Sequence, residues 1–293
     1  MSGDRIILGT AKIGMPSYGF SSESNHVSYY DLFCKASELG VLTLDTSPRY
    51  GNAEELIGAY HKKNDRKFLI STKVDNLIPN DKDSESAIFN SVKNSINKAG
   101  VSHIEELYLH QNEMDIISDS KIISSLLKLK NIGMVKKIGV SIYNYEECKF
   151  SLESDVYDMV QIPINIMDTN IYSRLVKNNT FSTKEIIARS VFLQGIMFNS
   201  KKANNKVSHI EEIDEYMVSM KLLSKKYKID LPSLAFAFAY NMPSVSKVIV
   251  GTSSTDNLDK IIKSTKIQLP SLLISNIRIM SDEYKVWGNP RNW

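Results

Sequence analysis

Short runs of β-branched and aliphatic residues recur along the chain, each followed by a longer stretch whose apolar positions repeat at helical spacing. The strand-like runs are Arg5–Thr10, Val41–Asp45, Lys67–Lys73, Glu106–His110, Lys136–Val140, Asp158–Ile162, Glu185–Ser190 and Val245–Val250. Helical stretches between them include His26–Leu39, Ala53–Lys62, Ser84–Lys98, Ser120–Leu129, Ile210–Tyr227 and Asp256–Lys263. Gly40, Gly100 and Gly133 stand just after three of these stretches, where a glycine in the left-handed conformation closes a helix.

Strands alternating with helices predict an α/β protein with a parallel sheet and crossover helices. A doubly wound open sheet shares this alternation, but it usually carries a glycine-rich phosphate turn after the first strand. Neither GxGxxG nor GxxxxGK[ST] occurs here, and the first strand ends in Gly9-Thr10-Ala11. Eight units close more naturally than they extend, so the expected fold is a (β/α)8 TIM barrel, a single domain over residues 1–293. Two polar stretches, one from Ser21 and one from Asn199 to Lys206, read as loops, the second as a mobile flap.

Composition narrows the function classes. The 293 residues are 42% apolar, enough for a large core, and 36 basic against 33 acidic residues leave a formal charge of +3. These charges are scattered, so nucleic acid is not expected as a partner. The start, MSGDRIILGT, has no apolar stretch of signal-peptide length, and the apolar run Leu231–Tyr240 is too short to span a bilayer. A soluble, cytoplasmic protein without membrane association is expected. Cys34 and Cys148 lack metal-ligand spacing and read as reduced structural thiols, and no metal site is expected.

In such a barrel the active site forms at the carboxyl ends of the strands. The second strand ends at Asp45, with Tyr50-Gly51 shortly after it; the third ends at Lys73 and the fourth at His110. Alternation places Thr43 with Asp45, Ser71 with Lys73 and Tyr108 with His110 inside the barrel, and turns Leu42, Leu44, Ile70, Leu107 and Leu109 toward the helices. One such residue alone would read as a cap or a surface ion pair. Four converging on one cavity suit proton transfer, because a phenol becomes a useful acid beside a cation. Lys73 supplies that cation, Asp45 holds Lys73 in place, and His110 hydrogen-bonds the phenol or polarises a carbonyl. An aldolase using Lys73 as a Schiff base would need a neutral lysine, which Asp45 opposes. His26, His61, His103 and His209 carry no assigned role.

With these residues in place, the sequence resembles the aldo-keto reductase family, through LDTSPRYGNAEELIG, ISTK and LYLH. The resemblance continues from GTAKIGMPSYG through KKIGVSIYN and VQIPIN to ARSVFLQG and PSVSKVIVGTSSTDNLDKI. It implies that Asp45, Tyr50, Lys73 and His110 form a catalytic tetrad, and that hydride passes between a nicotinamide and a carbonyl carbon. It also implies cofactor contacts from Gly9, Thr10 and Ala11 at the nicotinamide end, and from Ser141 and Gln161 to the carboxamide. Ser190 and the turn of Phe192, Leu193, Gln194 and Gly195 would follow the pyrophosphate, and Gly251, Thr252, Ser253 and Asn257 would lead phosphate to a helix N-terminus.

The chain departs from the family pattern at three places. Ile142 stands where an Asn often follows the serine. Arg189 stands where many members stack a tyrosine on the nicotinamide, so Arg189 would stack or bind substrate instead. The adenosine end carries Lys260 and Ile261 in place of the usual Glu-Asn, which leaves NADP the expected cofactor, with Lys260 or Lys263 on its phosphate, and NAD open. GTSSTD is also an ordinary helix N-cap sequence. The resemblance also implies a reduced form of the hairpin that usually plugs the barrel bottom. The resemblance points to a small carbonyl substrate, sugar-like or nucleotide-linked, with Tyr18, Phe20, Tyr143, Trp287 and Trp293 as pocket candidates. The alternative it leaves is a nicotinamide-binding regulatory or scaffolding subunit.

Overall fold

The computed structural model describes residues 3–20, 28–180, 183–198, 207 and 209–282. Its strands are β1 Ile6–Gly9, β2 Thr43–Asp45, β3 Leu69–Val74, β4 Ile104–Leu109, β5 Val135–Ser141, β6 Met159–Pro163, β7 Glu185–Arg189 and β8 Val245–Gly251. They pair in sequence order, all parallel, and β8 pairs with β1 to close the barrel. The helices are α1 Ala11–Gly14, α2 Tyr29–Glu38, α3 Ala53–His61, α4 Ser84–Ala99, α5 Met114–Ile117, α6 Ser120–Asn131, α7 Tyr145–Glu153, α8 Asn170–Lys177, α9 Ile210–Tyr227, α10 Leu231–Asn241, α11 Thr255–Ser264 and α12 Ser271–Asp282. The expected (β/α)8 barrel is therefore the fold.

Strand alternation sorts the side chains into two cores. Leu8, Leu44, Ile70, Leu107, Leu109, Val140 and Ile162 pack outward against the helices, while Ile7, Tyr108, Met159 and Ile187 fill the axis of the barrel. Leu42 departs from the sequence reading: it precedes β2 and is 39% exposed rather than packed under the helices. The run Leu231–Tyr240 is helix α10, opened by the Asp230 side chain accepting from Ser233 N at 3.1 Å, with Pro232 in its first turn. Its apolar residues are buried around most of its circumference, which explains why no polar stripe marked it. The two polar stretches, from Ser21 and from Asn199 to Lys206, lie outside the described residues.

At the amino ends of the strands the inward positions are charged. Lys247 Nζ lies 2.6 Å from the fully buried Glu106 and 3.7 Å from Glu185, which also pairs with Lys137. Tyr108 Oη donates to Glu106 at 3.1 Å, tying this network to the axial core.

Two glycines let α1 lie on the turn that carries Tyr50. A Cβ at Gly14 would stand 1.8 Å from Tyr50 O, and one at Gly51, where φ is 56°, would stand 2.2 Å from Gly14 O. Tyr50 N donates to Ser47 O at 2.9 Å, and Ala53 N to Tyr50 O at 3.0 Å, so the turn feeds directly into α3. Gly14→Ala is expected to cost about 1–3 kcal/mol of stability and to lower turnover by displacing Tyr50. Urea unfolding and steady-state rates check this; a variant with wild-type values for both would contradict the packing described.

Candidate active site

One inward residue from each strand end meets at the barrel mouth: Gly9, Asp45, Lys73, His110, Ser141, Gln161, Arg189 and Gly251 all line a single cavity of about 520 Å³. The register explains the meeting, since Gly9 pairs with both Asp45 and Gly251, and Ser141 pairs with Gln161. Tyr50 joins them from the β2–α3 turn.

Lys73 is 3% exposed and Asp45 4%. Lys73 Nζ donates to both carboxylate oxygens of Asp45 at 2.8 Å and to Thr46 O at 2.9 Å. Three oxygens match the three donors of an ammonium, an arrangement unsuited to a Schiff-base nucleophile. Lys73 Nζ also lies 5.1 Å from the centre of the Tyr50 ring. Burial, and then the Asp45 charge, push the Tyr50 phenol well above the ordinary tyrosine range, with Arg189 pulling the other way. The sequence assigned the acidifying cation to Lys73. In the folded protein Asp45 largely neutralises Lys73, and Arg189 is the cation that favours the phenolate.

The His110 ring meets Tyr50 edge-on, with 6.5 Å between centroids. Burial, together with the positive charges of Lys73 and Arg49, lowers His110 to about 4, so the imidazole is neutral at neutral pH. Its Nδ1 lies 3.2 Å from Asp75 Oδ2 without the alignment of a hydrogen bond, and Arg49 Nε holds that same oxygen at 2.5 Å. Asp75 and Arg49 were not singled out from the sequence. The signal was there for Asp75, which stands two residues beyond Lys73, just past the end of β3.

Of the other expected cofactor positions, Ala11, Ser190, Phe192, Leu193, Gln194, Gly195, Thr252 and Asn257 line the same cavity. Thr10 and Ser253 do not. The Thr10 hydroxyl instead donates to Asp45 O at 3.0 Å, fastening β1 to the strand that carries Asp45. Gln161 Nε2 donates to Asp45 Oδ1 at 3.1 Å, and its Oε1 is buried without a partner. An orphaned acceptor beside Asp45 fits a carboxamide amide, so the residues present suit a nicotinamide. Ser190, Leu193 and Gln194 have φ of 57°, 43° and 53°, so three non-glycine residues hold this loop in the left-handed region.

At the far end, Ser254 caps α11 by accepting from Asn257 N at 3.3 Å, and Thr252 Oγ1 accepts from Ser254 N at 3.1 Å. Part of the amide set at this helix start is thus met internally, as its N-cap sequence suggested. Lys260 lines the cavity, whereas Lys263 pairs with Asp259 at 2.5 Å. Lys12, Asp230, Ser233 and Ser264 also line it and escaped the sequence reading, which treated the start of α10 as an apolar run. Tyr18 and Tyr143 are in the wall, Phe20 packs on the outer core, and Trp287 and Trp293 lie outside the described residues. Among the described residues no cluster could hold a metal ion, and no helix is long and apolar enough to cross a membrane.

Comparison with known proteins places this arrangement. The D-threo-aldose 1-dehydrogenase of a Pseudomonas species is 23% identical over 272 residues, covering 80% of this chain and 82% of that protein. The D-arabinose 1-dehydrogenase of Saccharomyces cerevisiae is 23% identical over 274 residues, covering 86% and 80%. A glycerol dehydrogenase structure from Gluconobacter oxydans superposes with a TM-score of 0.72 at 18% identity over 96% of this chain and 93% of that one. The aldo/keto reductase family model matches residues 5–282, nearly the whole chain, and with the barrel and its strand-end residues in view, the protein belongs to the aldo/keto reductase family of oxidoreductases.

Proposed function

We propose that this chain interconverts a carbonyl and an alcohol on an aldehyde, ketone or sugar-like substrate, with a nicotinamide cofactor and with Tyr50 Oη as the proton donor. The observation that carries this reading is the convergence of Tyr50, the Lys73–Asp45 pair and neutral His110 on one cavity wall beside the unpartnered Oε1 of Gln161. Bound cofactor supplies a hydride to the carbonyl carbon, or removes one from the alcohol. Gln161 and Ser141 would hold its carboxamide, and the 190–195 and 251–257 loops its phosphates.

In the reducing direction Tyr50 gives its proton to the carbonyl oxygen as negative charge develops there. The strong basicity of its phenolate keeps that proton in place until then. His110, uncharged, donates one hydrogen bond to the same oxygen. Arg189 supplies the positive field that stabilises the phenolate left behind, and the Lys73–Asp45 pair fixes the wall beside it. NADPH is the preferred cofactor in this reading, with Lys260 toward its additional phosphate. Asp230 in the same wall gives NADH a ribose acceptor, so both are expected to bind. The sugar dehydrogenases among the relatives support a sugar-like substrate.

Titration of NADPH and NADH followed by nicotinamide fluorescence, then absorbance with a panel of aldehydes, ketones and aldoses, tests the proposal. Binding and turnover of at least one class are expected. Binding with no turnover on any member would move the chain to the regulatory reading, and the absence of binding would sink both.

A further inference from the structure

The cavity holds a cation that the catalytic arrangement leaves without a counter-ion. Arg189 ends β7 two residues after Ile187 of the axial core, so alternation points its side chain into the mouth rather than toward the helices. It is 9% exposed. Its guanidinium stacks on the Tyr143 ring at 3.9 Å, Nη2 donates to Ile142 O at 2.7 Å, and Nη1 donates to Ser190 Oγ at 3.1 Å. Nε is buried with no partner. These contacts fix the plane of the guanidinium while leaving N–H donors unused, among them Nε–H. No carboxylate among the described residues comes within 4 Å of it, in contrast to Lys73, which Asp45 matches in the same wall.

A buried guanidinium without a carboxylate is costly unless an anion completes it. Asp168 lies within electrostatic reach, but it is outside the cavity wall, and burial pushes its carboxyl up to about 6. The expected positions of the cofactor phosphates are the two loops beyond this strand end. Arg189 instead acts electrostatically on Tyr50, Tyr18 and His110, the groups around the reacting carbonyl.

We infer that Arg189 is a substrate-recognition residue and that the physiological substrate is an anionic carbonyl or hydroxy compound, its carboxylate or phosphate seated on the unused N–H edge of the guanidinium. The inference rests on the oxidoreductase reading above for its chemistry, while anion binding can be measured separately. A planar fork held flat on Tyr143 favours a carboxylate, which it can grip through two N–H groups at once.

Matched pairs test this: butanal against succinic semialdehyde for a carboxylate, and D-glyceraldehyde against its 3-phosphate for a phosphate. With the whole protein and saturating cofactor, the charged member of at least one pair is expected to have the higher kcat/KM by about 10- to 100-fold, mainly through KM. Arg189→Met is expected to reduce the charged member's kcat/KM by at least about 10-fold more than the neutral one's, and Arg189→Lys to retain part of the preference. Equal kcat/KM within both pairs in the wild type, or equal losses on both members in Arg189→Met, would overturn the proposal. Equal losses would assign Arg189 to the Tyr50 phenolate or the cofactor rather than to a substrate anion. Titration with succinate, read as a change in bound-nicotinamide fluorescence, separates the two readings. Arg189-dependent succinate binding without turnover of any member would keep the anion site and remove the reductase activity. No succinate binding together with equal turnover within both pairs would do the reverse.

Discussion

Tyr50→Phe is expected to lower kcat by about 10²- to 10⁴-fold while leaving cofactor affinity close to wild type. The substitution removes one oxygen and keeps the ring that meets His110 edge-on at 6.5 Å and lies 5.1 Å from Lys73 Nζ. The turn is also preserved, because it is held by backbone bonds and by the close contact with Gly14 rather than by the phenol. A loss confined to kcat therefore reports the missing proton. The pH dependence sharpens the test. Burial and Asp45 keep the phenol protonated, and His110 ionises only near pH 4, so neither group changes state near neutrality. The acidic limb of kcat/KM for reduction is accordingly expected near pH 4, where imidazolium forms, rather than in the ordinary histidine range. A Phe variant within about 3-fold of wild-type kcat would remove Tyr50 from the chemistry, since general acids contribute far more than that.

Lys73→Met should produce the largest change in stability. Asp45 and Lys73 are a buried pair 2.8 Å apart, with side chains 6% and 3% exposed. Methionine fills similar space but leaves the Asp45 carboxylate among buried groups, with only Gln161 Nε2 and its own surroundings to solvate it. Breaking such a pair from one side costs about 3–5 kcal/mol, which corresponds to a fall in Tm of about 10 °C for a domain of this size. The companion substitution Asp45→Asn in the same chain is expected to restore much of that loss, because the stranded charge is then gone. Thermal unfolding of the two single variants and the double variant measures this. If Lys73→Met melted within about 2 °C of wild type, the pair would not be the buried ionic contact described.

The sequence was most legible where one local rule sufficed. Helix α9 spans the expected residues 210–227, and α3, α4 and α6 begin at the expected positions. Gly40, Gly100 and Gly133 all take positive φ, as helix-closing glycines do. Period-two alternation named the residues that β2, β3 and β4 turn into the cavity, Asp45, Lys73 and His110, whereas Gly9, Ser141, Gln161, Arg189 and Gly251 followed from the family resemblance. At Leu42 it did not foresee the exposure, because alternation gives the side of a strand and not what covers it.

The order of strands and helices, the closed parallel sheet and the family are legible in the linear chain, because period, turn residues and motif spacing are written in consecutive positions. The tertiary structure decided which charge meets which. Only folding brings Asp45 onto both faces of the Lys73 question, as the partner that neutralises it and the charge that raises Tyr50. Only folding places Arg49 on Asp75 beside His110, and leaves Arg189 fixed on Tyr143 with no carboxylate of the described residues within 4 Å. Electrostatic partners depend on distance and burial between residues far apart in the chain, and a linear sequence carries neither quantity.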